Sequence, residues 1–196
     1  MAWTPPPHRP GHPYYMYESI YAQPGAIRLV LRQNADTLKA AAERLKAVDR
    51  VFLSGIGTSW HACLVGELLL SRIGRLGHRV RAFHSFEFKN YWPDPDPRTG
   101  VIVVSHRGTK RFSLEALQKA KAGGGIAIAI TGQGSGDGLK IADYALVTVE
   151  QENSAAHTIS YTTALALLAA LAAEIGGDGE VARALDALPD QMALLL

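Results

Sequence analysis

The segment GVIVVSHRGTKRFSLEALQKAKA, residues 100–122, contains the pattern that decides the fold. It opens with a short apolar run rich in β-branched residues, which is typical of a buried strand. A polar loop with one glycine follows, and Ser113 to Ala122 then has the spacing of an amphipathic helix. The segment therefore predicts a strand, a loop and a helix in succession, which is the repeating unit of a parallel α/β fold.

The same unit recurs along the chain. Short apolar runs predict four more strands, at Arg50–Gly55, Arg79–Phe83, Gly125–Thr131 and Tyr144–Val149. Helical spacing predicts helices at Glu18–Ala47 with a break at Gln23-Pro24, at Ser59–Ile73, at Thr158–Ile175 and at Val181–Leu196. This alternation favours a five-stranded parallel sheet in a three-layer αβα arrangement. Right-handed crossovers then place the strand-to-helix loops at one edge, where such folds bind ligands.

Length and composition indicate one ordinary globular domain. The chain has 196 residues, and we expect residues 1–15, with five prolines, to form a flexible tail before a single domain at residues 16–196. A solvated tail also explains His8 and His12 better than a metal pair does, because no carboxylate or cysteine lies near them. The single cysteine, Cys63, excludes a disulfide within the chain and is expected to be buried in a helix.

Charge and hydropathy restrict the partners. A formal net charge of +2 is too small to indicate nucleic acid or an anionic membrane surface. The longest apolar stretch, Ala164 to Ala173, is shorter than the ~20 residues that a membrane span requires. The proline-rich N-terminus does not resemble a secretory signal. We therefore expect a cytoplasmic protein with no nucleic-acid or membrane partner.

The first candidate loop, GIGTS at residues 55–59, lies between a predicted strand and a helix. Gly57 allows the backbone to approach a ligand, while Thr58, Ser59 and the first helical amides offer hydrogen-bond donors. A tight turn with a Ser or Thr cap is the alternative. Trp60 stands where the third glycine of a GxGxxG motif would be, and no Walker lysine follows, so a nucleotide site is not supported.

The second candidate loop follows the strand at residues 100–105. It offers a serine, a glycine, hydroxyl groups and cations immediately before a helix, in the order Ser105, His106, Arg107, Gly108, Thr109, Lys110 and Arg111. Helix-start amides, the helix dipole and the positive side chains all favour a bound phosphate. A solvated basic turn is the alternative.

The third candidate loop, residues 150–158, follows the last strand and leads into the most apolar helix. Glu152 is a candidate contact for sugar hydroxyls. His157 is a candidate for proton transfer, since an imidazole changes its charge near neutral pH. The alternative for this segment is a helix cap.

These loops occur together, and in this order, in SIS (sugar isomerase) domains. The chain resembles the first SIS half of the isomerase part of glucosamine-6-phosphate synthase, from residue 16 to the end. MYESIYAQP at residues 16–24 is similar to M-x-K-E-I-x-E-Q-P, and residues 57–59 match G-T-S. SFEF at residues 85–88 is similar to S-E-F, residues 105–110 align with S-Q-S-G-E-T, and residues 152–165 align with E-x-x-V-A-S-T-K-A-F-T-T-Q-L.

The resemblance implies a flavodoxin-like SIS fold and a set of binding residues. It implies that Gly57, Thr58 and Ser59 contact a phosphosugar, that residues 105–110 hold its phosphate, and that Ala155 and His157 face the sugar. The second loop departs from the family pattern, since His106, Arg107, Thr109 and Lys110 replace Gln, Ser, Glu and Thr. The site should still favour an anion, but with a geometry of its own.

Three functions remain open from the sequence. The first is an aldose–ketose isomerase or deglycase, for which Glu87, Glu152 and His157 are the candidate bases. The second is a phosphosugar-sensing module without chemistry. The third is one half of a two-SIS protein, completed by a homodimer partner or by a second SIS domain. The chain shows no counterpart of the family's glutaminase domain or of its second half, and none of the three functions requires a metal or an organic cofactor.

Overall fold

The computed structural model describes residues 4, 6–92 and 94–196. Five parallel strands form one sheet in the order β2-β1-β3-β4-β5. Their bounds are β1 Arg50–Gly55, β2 Val80–His84, β3 Thr99–Val104, β4 Ile126–Thr131 and β5 Tyr144–Val147. The predicted parallel α/β sheet is confirmed, and its strand order is that of flavodoxin-like folds.

Helices cover both faces of the sheet. Their bounds are α1 Tyr15–Gln33, α2 Ala35–Lys46, α3 Thr58–Arg72, α4 Ser85–Tyr91, α5 Arg111–Ala122, α6 Ile159–Gly176 and α7 Gly179–Leu195. One apolar cluster joins the sheet to α2, α3 and α6, and a second joins it to α4 and α5. Alternate residues of β3 belong to different clusters, Ile102 to the first and Val103 to the second. Burial on both faces explains why the strands are continuously apolar.

Helix α6 is the centre of the larger helical layer. It packs against α1, α2, α3 and α7, and ten of its side chains are buried. Within the described residues it is the one helix whose length and apolar composition would suit a membrane span, but most of it is buried inside this fold. Its apolar character therefore agrees with the role of a core helix.

The predicted helix break at Gln23-Pro24 is wrong. Helix α1 continues through Pro24, which has no N–H to donate to the carbonyl of Ile20. The Gln23 side chain supplies the missing donor, since its Nε2 lies 3.1 Å from that oxygen. The break comes instead at Asn34, between α1 and α2.

Helix α4 was not predicted. It has only seven residues, which is too short for helical periodicity to be visible in the sequence. It places SFEF at residues 85–88 on the second face of the sheet, where Phe88 is fully buried. The buried state of Cys63 in α3, by contrast, is confirmed, and burial raises the pKa of its thiol.

The described residues before α1 contact its first turns. The Arg9 guanidinium lies 3.9 Å from the centre of the Tyr15 ring and donates to Glu18 at 2.7 Å. The Tyr15 hydroxyl donates to the carbonyl of Pro7. The prediction of a flexible tail at residues 1–15 stays a prediction, and residues 1–3 and 5 lie outside the described residues.

Candidate functional site

A pocket of about 180 Å³ lies at the carboxyl edge of the sheet. The loops after β1 and β3 flank the point where the strand order changes direction, which is where open α/β sheets bind ligands. The loop after β5 closes a third side. The pocket brings together most of the predicted binding residues: Thr58, Ser59, Ser105, His106, Arg107, Lys110 and His157.

Other predicted residues lie outside the lining. Gly57, Gly108, Thr109 and Ala155 belong to the same loops but do not line the pocket. Glu87 is exposed on α4. Glu152 is buried behind the third loop, with 6% of its surface exposed.

Sequence reasoning missed one face of α6. Ser160, Tyr161 and Ala164 line the pocket together with His157. Ala164 follows Ser160 by four residues and Tyr161 by three, which is the spacing of one helix face. His157 lies two residues before the helix, so this face could have been extended from the candidate histidine in the sequence. The other missed lining residues come from the three loops, the strand ends and the starts of α3 and α5: Ile56, Ala62, Val104, Ser113, Ile130 and Thr148.

The first loop brings the backbone close to the start of α3. A Cβ on Gly55 would lie 2.6 Å from the carbonyl oxygen of Ser59, so only glycine fits there without a shift. Gly57 has φ +62°, a left-handed conformation that favours glycine. Helix α3 has no side-chain cap, and within the described residues the Thr58 and Ser59 amides donate to no acceptor. These amides are available to a ligand.

The second loop forms a tight turn. The Gly108 amide donates to the carbonyl of Ser105 at 3.1 Å, and Gly108 has φ +64°. Thr131 fixes the turn from β4, since its hydroxyl donates to the same carbonyl at 3.0 Å. Helix α5 then begins without a side-chain cap, beside the exposed Lys110. A free helix start and a nearby ammonium group together favour an anion.

Three buried serines form a chain of hydroxyl contacts that reaches the pocket wall near the second loop. The Ser54 hydroxyl donates to Ser85 at 2.9 Å, and the hydroxyls of Ser85 and Ser113 lie 3.2 Å apart. They come from β1, α4 and α5. Because Ser113 also lines the pocket, this chain of hydroxyls connects the pocket wall to the second helical layer.

Glu152 caps α6. Its carboxylate accepts the amides of Thr158 at 2.9 and 3.0 Å, of Ile159 at 3.2 Å and of Ser160 at 3.1 Å. It also accepts the Ser160 hydroxyl at 2.5 Å. An internal anion therefore occupies the start of α6, while the starts of α3 and α5 have no side-chain cap. An external anion is best accommodated at these two helices.

Two histidine rings lie near each other at the pocket. The ring centres of His106 and His157 are 6.2 Å apart. Burial, and next the neighbouring His157, lower the pKa of His106 to about 4, so His106 is neutral at pH 7. His106 Nδ1 lies 3.3 Å from the Thr148 hydroxyl, and His157 Nδ1 lies 3.1 Å from the Ser160 hydroxyl.

Comparison with known proteins agrees with this geometry. The family model of the SIS domain matches residues 44–174. The chain belongs to the SIS-domain family. It is 32% identical over 167 residues to glutamine–fructose-6-phosphate aminotransferase (isomerizing) of Thermococcus kodakarensis, a match that covers 84% of this chain and 27% of that protein. The corresponding protein of Aeropyrum pernix is 37% identical over 133 residues, 66% of this chain and 21% of its own length. The chain thus spans about a quarter of the length of these relatives.

Solved structures share the SIS fold. The C-terminal domain of glucosamine-fructose-6-phosphate aminotransferase from Francisella tularensis superposes with a TM-score of 0.81 at 21% identity, covering 96% of this chain and 56% of that one. The sugar isomerase domain of an RpiR transcription factor from Sphaerobacter thermophilus has a TM-score of 0.65 at 23% identity, with 90% and 96% covered. Since this SIS fold occurs in an enzyme and in a regulator, the fold alone does not assign a reaction.

Proposed function

We propose that this SIS domain binds a phosphorylated sugar in the pocket. One observation carries the proposal: the starts of α3 and α5 have no side-chain cap, and the pocket that Thr58, Ser105 and Lys110 line has no carboxylate in its described lining. Free amides, helix dipoles and cations without a competing acid favour a phosphate. Gly57 and Gly108, which both have a positive φ, allow the backbone of the first and second loops to approach the phosphate closely.

We assign the phosphate to the second loop and to the first turn of α5. Ser105 and the backbone of His106 to Gly108 would surround it, with Thr109 and Lys110 at its outer side. The sugar would then lie towards Thr58 and Ser59, with Ala155 and His157 across from them. This orientation keeps the dianion next to the cations and the hydroxyl groups of the sugar next to the uncharged wall.

Calorimetric titration tests the proposal. Fructose 6-phosphate and glucosamine 6-phosphate should bind. At a ligand concentration of a hundred times Kd, each should add about 2.7 kcal/mol to the free energy of unfolding and so raise the unfolding temperature. Fructose should bind much more weakly. Lys110→Ala should weaken binding about tenfold, since a charge-assisted contact contributes about 1.5–3 kcal/mol, while Lys39→Ala on the exposed surface of α2 should not. If no sugar phosphate binds, the proposal is wrong.

A sensing role without chemistry is the second candidate. Glu87 is exposed outside the pocket, and both oxygens of Glu152 accept bonds from the start of α6. Neither acid is therefore placed to remove a proton from a bound sugar. The likeness to a regulator's sugar isomerase domain is in keeping with such a role.

We also propose that the domain acts in the cytoplasm beside a second SIS unit, in a homodimer or with a separate partner. The solved relative from Francisella tularensis is long enough for the chain to cover 56% of it. A neighbouring unit would supply groups that the single pocket lacks.

A further inference from the structure

We propose that His157 is the proton-transfer residue of the pocket and that Ser160 and Glu152 position it as a base. The inference rests on the proposed function, because the bound sugar phosphate is the substrate. The part of the inference that concerns the tautomer of the His157 imidazole can be tested without any ligand.

The buried carboxylate of Glu152 is the starting point of the argument. Each of its oxygens accepts from backbone amides of α6, and an ionised carboxylate has no proton to give. The Ser160 hydroxyl lies 2.5 Å from Glu152 Oε1, so the serine must donate its only proton to that oxygen.

The serine oxygen is then restricted to accepting. His157 Nδ1 lies 3.1 Å from it, and a hydrogen bond at that distance requires the proton to be on Nδ1. The neutral ring therefore has its lone pair on Nε2. Glu152, through Ser160, selects the tautomer in which His157 can accept a proton from a ligand.

The position of the ring supplies the second part of the argument. His157 lines the pocket, and its ring centre lies 6.2 Å from that of His106 in the second loop. Burial lowers the pKa of His106 to about 4, which makes its ring a weak base, and no carboxylate is among the described lining residues. His157 is thus the group best placed to remove a proton.

The chemistry is a proton shift between neighbouring carbons of an aldose or ketose phosphate. His157 Nε2 takes the proton from the carbon next to the carbonyl, and the electrons of that C–H bond form the double bond of an enediolate. The former carbonyl oxygen takes the negative charge, and a hydroxyl proton moves between the two oxygens. The imidazolium returns its proton to the neighbouring carbon, so the step is redox-neutral and needs no further reactant.

The first test is the tautomer itself. In ¹⁵N-histidine-labelled protein at pH 8, we expect the long-range ¹⁵N–¹H spectrum to show His157 protonated at Nδ1, with the signal assigned by its loss in His157→Gln. Ser160→Ala should shift the ring towards the Nε2–H form, and Ser160→Thr should restore Nδ1–H. An Nε2–H tautomer in the wild-type protein would overturn the inference.

The second test is deuterium exchange at carbon. In D₂O, NMR should show the wild-type protein exchanging the C1 protons of fructose 6-phosphate or the C2 proton of glucosamine 6-phosphate. His157→Gln should reduce this rate at least a hundredfold at saturating sugar phosphate, in line with the roughly 10²–10⁴-fold worth of general base catalysis. Ser160→Ala should reduce it about tenfold, and Ser160→Thr should recover it. His78→Gln, an exposed histidine on another edge of the molecule, is the matched control.

The outcomes separate the two proposals. Binding of both sugar phosphates without exchange in the wild-type protein contradicts proton transfer by His157 and leaves the proposed binding function standing. Absence of binding contradicts the binding function, and the tautomer spectrum then still decides whether Ser160 and Glu152 position the imidazole.

Discussion

His106 makes the stability of the folded protein depend on pH. Burial is the largest cause that lowers its pKa from 6.5 to about 4. Between these two values the unfolded chain binds a proton that the folded chain does not, so stability is complete above pH 6.5 and falls as the pH drops towards 4. The loss should be on the order of 2–3 kcal/mol.

Urea unfolding at pH 7 and pH 4.5 measures this effect. In His106→Gln, the family's residue at this position, the difference between the two pH values should shrink by most of that amount. His78→Gln, which removes an exposed histidine, should leave the difference as in the wild-type protein. An unchanged pH dependence in His106→Gln would show that another group causes it.

Glu152 gives a second prediction for a single side chain. Glu152→Gln keeps the shape but loses the charge that four donor groups, three amides and one hydroxyl, now stabilise. We expect a loss of about 2–3 kcal/mol in the free energy of unfolding, the usual range for hydrogen bonds to a buried charge. Glu150→Gln, an exposed acid two residues earlier, is the control and should change stability by less than about 0.5 kcal/mol.

The sequence predicted the binding loops better than the contacts of the individual acids. Gly57 and Gly108 sit where the backbone must take a positive φ, and that preference is visible in residue type alone. Glu152 caps amides six to eight residues later, whereas a local capping box spans three. Such a bond depends on how the third loop folds back, which residue spacing does not encode.

Asn34 joins two secondary-structure regions, the corner between α1 and α2 and the edge strand β5. Its Oδ1 accepts the Val147 amide at 2.7 Å, and its Nδ2 donates to the carbonyls of Val30 and Val147. Asn34→Ala leaves the half-buried Val147 N–H without a partner, while the Val30 and Val147 carbonyls keep other donors, and should cost about 1–3 kcal/mol. Gln33→Ala removes an exposed donor to the same Val147 carbonyl, which Asn34 still satisfies, and should cost less than about 1 kcal/mol.

Chemical denaturation compares these two variants directly. Equal losses would mean that the two amides share the contact and that Asn34 has no special role. The helix break expected at Gln23-Pro24 does not form, and the chain breaks at the Asn34 corner instead. Pro24 leaves the carbonyl of Ile20 without its usual backbone donor, and the Gln23 side chain provides one.

The junction of β1 and α3 gives a prediction that links stability to binding. Gly55→Ala would place a methyl group 2.6 Å from the backbone of Ser59, so the start of α3 must move away. We expect a loss of about 1–3 kcal/mol in stability and at least a tenfold weaker affinity for fructose 6-phosphate. Gly25→Ala in α1 meets no atom within 4 Å and should instead stabilise by about 0.5–1 kcal/mol. Unchanged binding in Gly55→Ala would remove the first loop from the site.

For the whole molecule, the position of the pocket follows from the strand order. Apolar runs and helical spacing predict the parallel sheet, and right-handed crossovers predict that all loops meet at one edge. The order β2-β1-β3-β4-β5 adds that the loops of β1 and β3 diverge to opposite faces and leave a crevice between them. That order depends on which helices share a face, and sequence periodicity does not determine this.

Self-association is the last expectation, and it concerns an exposed stripe on α3. Leu64, Val65 and Leu68 lie within one and a half turns and are 43%, 36% and 58% exposed. Adjacent apolar side chains on a helix surface favour burial against another protein unit.

We therefore expect sedimentation equilibrium to give about twice the chain mass of 21.1 kDa. The double variant Leu64→Gln/Leu68→Gln should be monomeric, while Leu29→Gln, which is equally exposed on α1, should remain a dimer. A monomeric wild-type chain would contradict the homodimer and leave a separate SIS partner as the way to complete the site.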